Sequence, residues 1–386
     1  MRLLIYSHYF APSIGGVEII VMSLAKGLAE ARRDGDPIVP TVVTEIAGTA
    51  QDDSALPFRV IRKPSLTELF SLIKNSDLVH VAGPALAPMA LSYLLGKPYV
   101  VEHHGYQANC PNGLLILQPQ RTICPGHFQQ REYLKCVSCR AVETSRLKAW
   151  FSVLAMFPRR YLSSRAAVNI GVSQHVIDRD RLPNSRLILH GIDVAPPSKP
   201  SSRRAQTVFG FVGRFVPEKG IPVLLQACAI LKSKQADFKL RMVGDGPERR
   251  VAEQMIAELK LEEFVEITGF RSGAALEAAL EDVGVLVMPS VWEEAAGLSA
   301  MEVMMRGRLV IASAVGGLGE MVGDAGLLVA VNDPESLSLA MLKIIQNPHL
   351  LEAIGQKARD RAVKFFSRQR MINEHSEVYA SLASGD

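Results

Sequence analysis

Short apolar runs of strand length alternate with stretches of helical periodicity along most of the chain, and this alternation leaves few folds open. The opening residues 1–7, MRLLIYS, read as a buried first strand. Further runs near residues 38–44, 58–61, 78–82 and 99–102 are separated by helical stretches such as 66–74 and 86–94. A strand followed by a helix rejoins its sheet in the same direction, so repeated strand–helix units build a parallel sheet with helices packed on it. Pro40 falls inside one of these runs and removes a ladder donor, which weakens that element as a strand.

The alternation breaks once. After strand-like runs at 167–172 and 187–189 and the sequence His190-Gly191-Ile192-Asp193, residues 195–206 read APPSKPSSRRAQ, and a fresh alternation starts at Thr207. Proline, serine and charge without periodicity mark a linker. With 386 residues, the chain is long enough for two domains at ~150 residues each. The expected division is a first domain at 1–195 with an insertion at 105–145, a linker at 196–206, a second domain at 207–365, and a last helix at 366–386 packing back on the first domain. Hydrophobic residues make up 48% and charged residues 21%, which suits a globular chain. The net charge of +4 comes without a long basic run, an aromatic stacking motif or finger spacing, so nucleic acid is not an expected partner. No apolar run approaches the ~18 residues of a membrane-spanning helix, and the opening is too short for a signal peptide. The expected location is cytoplasmic.

The chemistry gathers at strand ends. Pro289 to Gly307 reads PSVWEEAAGLSAMEVMMRG, a strand stop, an acidic loop and then a helix with Leu298, Met301 and Met305 at helical spacing. Free N–H groups at Gly297, Leu298 and Ser299 would form a phosphate seat at the helix start. Glu294 lies in the loop and Glu302 about one turn into the helix, so the two can meet different parts of one ligand. A carboxylate beside a phosphate seat suits vicinal ribose hydroxyls, because its oxygens accept two hydrogen bonds; the plainer reading is two surface acids. After the run 208–212, GRFVPEKG supplies Arg214 and Lys219, which suit a diphosphate or are solvated cations. Further strand ends carry Gly244-Asp245-Gly246-Pro247, Gly269 and Gly316-Gly317.

In the first half, Gly15-Gly16 opens a helix whose Val17, Ile20, Val21, Leu24 and Leu28 mark a buried face. The stretch lacks the G-x-G-x-x-G spacing of a dinucleotide fold, which speaks against a nicotinamide enzyme. His103, His104 and Gly105 follow the run at 99–102, where ligands of a parallel sheet collect, and one of the two histidines is expected to face a cleft. Cys110, Cys124, Cys136 and Cys139 are four of the five cysteines and lie within thirty residues. The C-x2-C pair can bite one tetrahedral zinc, with Cys110 and Cys124 completing the site and His127 as a spare ligand; the alternative is a group of free buried thiols. Cys228 reads as core. Residues 145–165, SRLKAWFSVLAMFPRRYLSSR, have basic flanks and an aromatic–aliphatic body. They read either as a buried connecting helix that Pro158 interrupts or as a contact with an anionic membrane surface.

Together, PSVWEEAAGLSAMEVMMRG, GRFVPEKG, GDGPE, GGLGE, FAPSIGGVE and HGID resemble glycosyltransferase family 4, retaining enzymes of the GT-B fold. The resemblance runs over nearly the whole chain. It implies an α/β chain of two Rossmann-like domains facing each other across a cleft. It also implies transfer of a sugar from a nucleoside-diphosphate sugar to a hydroxyl of a glycan or lipid-linked acceptor, in polysaccharide or glycolipid assembly, with anomeric configuration kept. By this resemblance Glu302 holds the ribose and Glu294 meets the donor sugar. Arg214 and Lys219 grip the diphosphate, Gly15-Gly16 approach the cleft, and the cleft histidine maps onto His104. His190 stands where the family usually has Asn, and residues 34–40 replace the usual G-H-x-V-x-V strand lead. No D-x-D motif stands at a strand end, so catalysis is expected to need no metal and any zinc to be structural. Two other readings are an epimerase or hydrolase of the same fold and a sugar-nucleotide binder without catalysis. Contact with the inner membrane surface goes with the basic stretch at 145–165.

Overall fold

The computed structural model describes residues 1–13, 15–31, 38–48, 53–198 and 206–384. Ile14, most of the 34–40 segment, residues 199–205 of the expected linker and the last two residues of the expected C-terminal helix lie outside them. The chain forms two compact units, one of residues 1–120, 124–193 and 365–386, the other of residues 121–123 and 194–364.

The first unit is built on a parallel sheet. Its strands are β1 (Arg2–Ser7), β2 (Val39–Thr44), β3 (Arg59–Arg62), β4 (Leu78–Ala82), β5 (Tyr99–His103), β8 (Val168–Gly171) and β9 (Ser185–Leu187); of the two-residue strands in the cysteine-bearing stretch of sequence, β6 (Ile116–Leu117) is in this unit and β7 (Thr122–Ile123) is in residues 121–123 of the other. The sheet order is β3-β2-β1-β4-β5-β8-β9, so the winding reverses between β1 and β4. Helices cover the sheet, which explains why β4 and β5 are buried along their whole length and read as continuous apolar runs. Pro40 is accommodated for a definable reason. Val39 donates to Met1 on the β1 side, so the nitrogen of Pro40 faces β3, which pairs only from Thr41 onward.

The helix Gly16–Glu30 buries Ile20, Val21, Leu24, Ala25 and Leu28. Its Gly27 receives Ile372 of the C-terminal helix Arg368–Ser384 so closely that an added Cβ would lie 1.9 Å from Ile372 Cδ1. A short bridge, Ile192 to Ser367, fixes the start of that last helix, and Met371, Ile372, Val378 and Tyr379 are buried on it.

Two expectations are corrected in this unit. The run expected at 187–189 is a strand over Ser185–Leu187, because its partner β8 ends at Gly171, opposite Leu187. Residues 145–165 form two helices, Arg146–Leu154 and Met156–Ser164, that meet at Ala155; Pro158 is not the interruption. It is the third residue of the second helix, where the missing N–H has no partner to lose. Nor is the stretch a buried connector. Ala149, Val153, Met156 and Leu162 are buried, whereas Leu147 is 67% and Phe151 63% exposed, and Trp150, Leu154, Phe157 and Tyr161 are also exposed.

The second unit repeats the plan with β10 (Thr207–Val212), β11 (Phe238–Val243), β12 (Val265–Gly269), β13 (Val285–Met288), β14 (Leu309–Ser313) and β15 (Leu327–Val329). The parallel order β12-β11-β10-β13-β14-β15 places the reversal between β10 and β13. Phe209, Phe211, Leu240, Met242, Val285 and Ile311 are among the strand residues of its core. Such a reversal opens a crevice at the carboxyl ends of the two diverging strands, which is where ligands of open α/β sheets bind.

Candidate functional site

The loops after β10 and β13 meet at that crevice. After β10 the chain passes Gly213 and Arg214 into a short 3-10 turn, Pro217–Lys219, that Gly220 closes in the left-handed conformation, φ 67°. Only glycine fits at Gly220, because an added Cβ would stand 1.9 Å from the carbonyl oxygen of Pro289. Val291 donates to the Glu218 carbonyl at 3.0 Å, so the two loops are joined by backbone as well. Lys219 Nζ thereby reaches Glu294 Oε1 at 2.9 Å, and Ser290 Oγ donates to the same oxygen. Glu294 is 3% exposed, so its carboxylate is held almost out of water.

A third strand end fixes the acid from behind. Gly316 follows β14 with φ 57°, and an added Cβ would lie 2.5 Å from the Glu294 carbonyl, while Gly317 donates to that carbonyl at 2.7 Å. After β11, Gly244 and Gly246 let the chain press on Gly213 and Phe215, and Phe215 donates to the Asp245 carbonyl at 2.8 Å. The glycines singled out in GDGP and GGLG thus serve close backbone approach between neighbouring strand ends.

The helix Leu298–Met305 starts at Gly297, and the first N–H it satisfies internally is that of Met301, bonded to the Gly297 carbonyl at 3.0 Å. The N–H groups of Leu298, Ser299 and Ala300 precede that bond at the positive end of the helix. Glu302 sits one turn in. Burial pushes its carboxyl upward against the opposing effect of Arg306, and its carboxylate makes no hydrogen bond or ion pair among the described residues. Arg214 is exposed and forms no ion pair among them either. The structure therefore brings Lys219 and Glu294 together in contact, with Ser290 as a partner that sequence reasoning missed.

In the first unit, Gly15 precedes the helix Gly16–Glu30, and Glu18 folds back over it, accepting from Ser13 Oγ at 2.9 Å. A Cβ at Gly15 would lie 2.5 Å from that carboxylate. His103 and His104 separate clearly. His103 Nε2 is 2.9 Å from Asn169 Oδ1 and its Nδ1 is 3.2 Å from Asp180 Oδ2, an acid that burial pushes up to about 6. His104 Nδ1 is 3.0 Å from His190 Nε2, so the residue that departs from the family's Asn contacts the mapped histidine.

Beneath this pair lies a network the sequence analysis did not identify. Glu102 is fully buried, with Oε2 at 3.1 Å from His80 Nε2, 3.5 Å from His104 Nε2 and 3.8 Å from His375 Nε2. Tyr379, on the C-terminal helix, is 2.8 Å from the other nitrogen of His80. Burial acts to raise Glu102, but His104, His375 and His80 outweigh it and hold the carboxyl well below its usual range. Burial pushes His80 and His104 down, and His190 down to about 3. The readable signal was His80 inside the apolar run of β4 and Glu102 directly after the apolar run that opens β5. Two sets of side chains, His80 with Glu102 and His375, and Glu102 with His104 and His190, have ligand atoms within 4.8 Å of one another and are close enough to share a cation.

The four cysteines of the segment at 110–139 line one cavity together with His127 and Asn112. All are free thiols, as is Cys228, which is buried in the core of the second unit.

The family model of the group 1 glycosyl transferases matches residues 197–361. The 2-deoxystreptamine glucosyltransferase of Streptomyces kanamyceticus is 30% identical over 343 residues, 83% of this chain and 83% of that protein. An alpha-D-kanosaminyltransferase of the same organism is 25% identical, over 77% of this chain and 74% of its own. Among solved structures, Anabaena HepE in complex with UDP aligns with a TM-score of 0.74 at 20% identity, over 99% of this chain and 100% of that one. The sucrose-phosphate synthase of Thermosynechococcus elongatus aligns with a TM-score of 0.71, also at 20% identity and over the full length of both chains. With two Rossmann-like units and these relatives, the chain belongs to the group 1 glycosyl transferases and is a glycosyltransferase of the GT-B fold.

Proposed function

We propose that this glycosyltransferase moves a hexosyl group from a nucleoside-diphosphate sugar to a hydroxyl of a glycan or lipid-linked acceptor, with the anomeric configuration retained. The observation that carries the reading is the Lys219–Glu294 contact at the β10/β13 reversal, in the loop that leads into the helix bearing Glu302. Lys219 and Arg214 bind the diphosphate, and the N–H groups of Gly297, Leu298 and Ser299 add neutral donors at a helix start. Glu302 accepts from the ribose hydroxyls and Glu294 from the donor sugar. Negative charge grows on the diphosphate oxygen as the bond to the sugar breaks, and fixed cations stabilise that charge more in the transition state than in the ground state. These charges take the place of a catalytic metal ion, so turnover should need no added divalent cation. His104, steadied by His190 and Glu102, is the proposed catalytic residue of the first unit, and Gly15-Gly16 its proposed donor-side turn. That HepE was crystallised with UDP and with UDP-glucose supports a nucleotide-sugar donor and makes uridine diphosphate the first to try.

A peripheral membrane contact at the inner surface accompanies a lipid-linked acceptor. Leu147, Trp150, Phe151 and Leu154 are exposed beside Arg146 and Lys148, an apolar face with cations at its edge. Flotation with phosphatidylglycerol vesicles, lost in Trp150→Ser/Phe151→Ser, is the expected result; flotation unchanged by the pair of substitutions counts against this face. The function itself is tested by incubating the enzyme with sugar nucleotides, with and without hydroxyl acceptors, and following the anomeric proton by NMR. An acceptor-dependent product with the donor's configuration is expected. Sugar release without acceptor, or an epimerised nucleotide, would replace the transferase reading.

A further inference from the structure

The segment between β5 and the helix Tyr133–Arg140, all of it in the first unit except residues 121–123, has little regular structure. Its only regular structure is the pair of two-residue strands, yet Cys110, Cys124, Phe128, Leu115 and Ile116 within it are buried. A stretch of that length without secondary structure of its own needs something to hold it. The apolar cluster at its end, Phe128, Val137, Ala149, Val153 and Met156 with Cys136, is small.

We propose that Cys110, Cys124, Cys136 and Cys139 bind one zinc ion through four thiolates and that this ion fixes the segment. Three observations converge. Cys136 and Cys139 stand three apart on one helix, so their side chains leave the same face, and both line the cavity that Cys110 and Cys124 line from the loops. Four cysteines of the chain's five meet there, while the fifth, Cys228, lies in an apolar core. Donors stand ready for the charge that thiolates carry. The Gln118 backbone N–H points at Cys139 Sγ at 3.2 Å, His127 Nδ1 lies 3.7 Å from Cys124 Sγ, and Arg140 also lines the cavity. His127 Nε2 in turn faces Glu132 at 3.6 Å, the kind of outer contact that orients a histidine beside a metal site.

Binding closes the cluster. Zinc–sulfur bonds of about 2.3 Å require the sulfurs to stand about 3.8 Å apart in a tetrahedron. Among the described residues, no three of these ligand atoms yet lie within 4.8 Å of one another, so the ion must draw them inward. Cys110, whose thiol now donates to Asn112 Oδ1 at 2.9 Å, gives up that bond. The balance is one Zn2+ and four thiols going to one tetrathiolate zinc and four protons, with no oxidant or reductant. Nothing in this inference depends on the sugar-transfer reading.

The test is metal analysis of full-length protein purified anaerobically without chelator, followed by cobalt substitution. About one zinc per chain is expected, together with the red ligand-field and near-ultraviolet charge-transfer absorption of tetrahedral thiolate cobalt. Cys139→Ser, on the rim of the cluster, should fall below about a tenth of an equivalent, while Cys228→Ser keeps the full complement. If Cys139→Ser is insoluble, the wild type alone decides: four thiols protected from a thiol reagent until the zinc is stripped support the site. Folded wild type with no zinc, no cobalt spectrum and four immediately reactive thiols overturns it.

Discussion

Lys219→Met tests whether the contact at the β10/β13 reversal has the energetic weight given to it. The substitution keeps the length of the side chain and removes the cation 2.9 Å from Glu294 Oε1. Removing one partner of a fully buried ion pair costs about 3–5 kcal/mol, because the other charge is left without compensation. Lys219 is 22% exposed and Glu294 4% at the side chain, so solvent screens the lysine side and the figure falls to about 2–3 kcal/mol. For a unit of this size each kcal/mol is worth about 2–4 °C, so melting should drop by about 4–12 °C. The assay is a double-mutant cycle with Glu294→Gln, read by thermal and urea unfolding. Once Lys219 is gone, Glu294→Gln removes the uncompensated charge, so the double variant should be more stable than the two single losses add up to, by at least about 1 kcal/mol. Additivity within about 0.5 kcal/mol would refute the reasoning, since the two side chains would then not sense each other. The same Lys219→Met should lower turnover by about 10²-fold or more with any donor the wild type uses.

Other sites are open to single measurements. Glu102→Gln removes the buried carboxylate that faces His80, His104 and His375 and should cost about 1.5–3 kcal/mol at neutral pH, the worth of a hydrogen bond to a charged group. Because the folded-state carboxyl of Glu102 is held below its ordinary 4.5, its contribution is present above that value and is lost as pH falls through it toward the lower folded value. Wild type should therefore approach the stability of Glu102→Gln on acidification below about pH 4.5, and a gap that stays constant with pH would contradict this. Gly316→Ala combines a left-handed φ of 57° with a Cβ 2.5 Å from the Glu294 carbonyl, and should lower stability by more than the ~1–2 kcal/mol of the dihedral alone. Wild-type melting in Gly316→Ala would show that the loop relaxes freely.

The parallel sheets were legible because strand–helix alternation has one economical solution, and strands such as β4 and β13 fall where their apolar runs begin and end. Edge elements were less so. The limit of β9 depends on where β8 stops, a property of the partner and not of its own residues. Pro158 misled because a proline reads as a break unless the helix start is known, and Ala155 carries no signal of a junction. In the candidate site, the acids and cations were visible as residue types at strand ends. The Lys219–Glu294 contact was not, since it joins residues 75 apart through the adjacency of β10 and β13, with Ser290 as a third partner. Glu102 and His80 were hidden by the apolar runs around them, and their partners His375 and Tyr379 arrive from the far end of the chain.

The central claim is that the second unit binds a nucleoside diphosphate through Glu302 and places Glu294 at the sugar. Calorimetric titration of uridine, guanosine and adenosine diphosphates into wild type, Glu302→Gln and Glu294→Gln tests it most directly. One of the nucleotides should bind the wild type, and Glu302→Gln should weaken it by about tenfold or more, the worth of a hydrogen bond to a charged group. Glu294→Gln should leave that affinity unchanged or tighter, because it frees Lys219 for the diphosphate. The account is contradicted if no nucleoside diphosphate binds, or if Glu294→Gln loses the affinity that Glu302→Gln keeps.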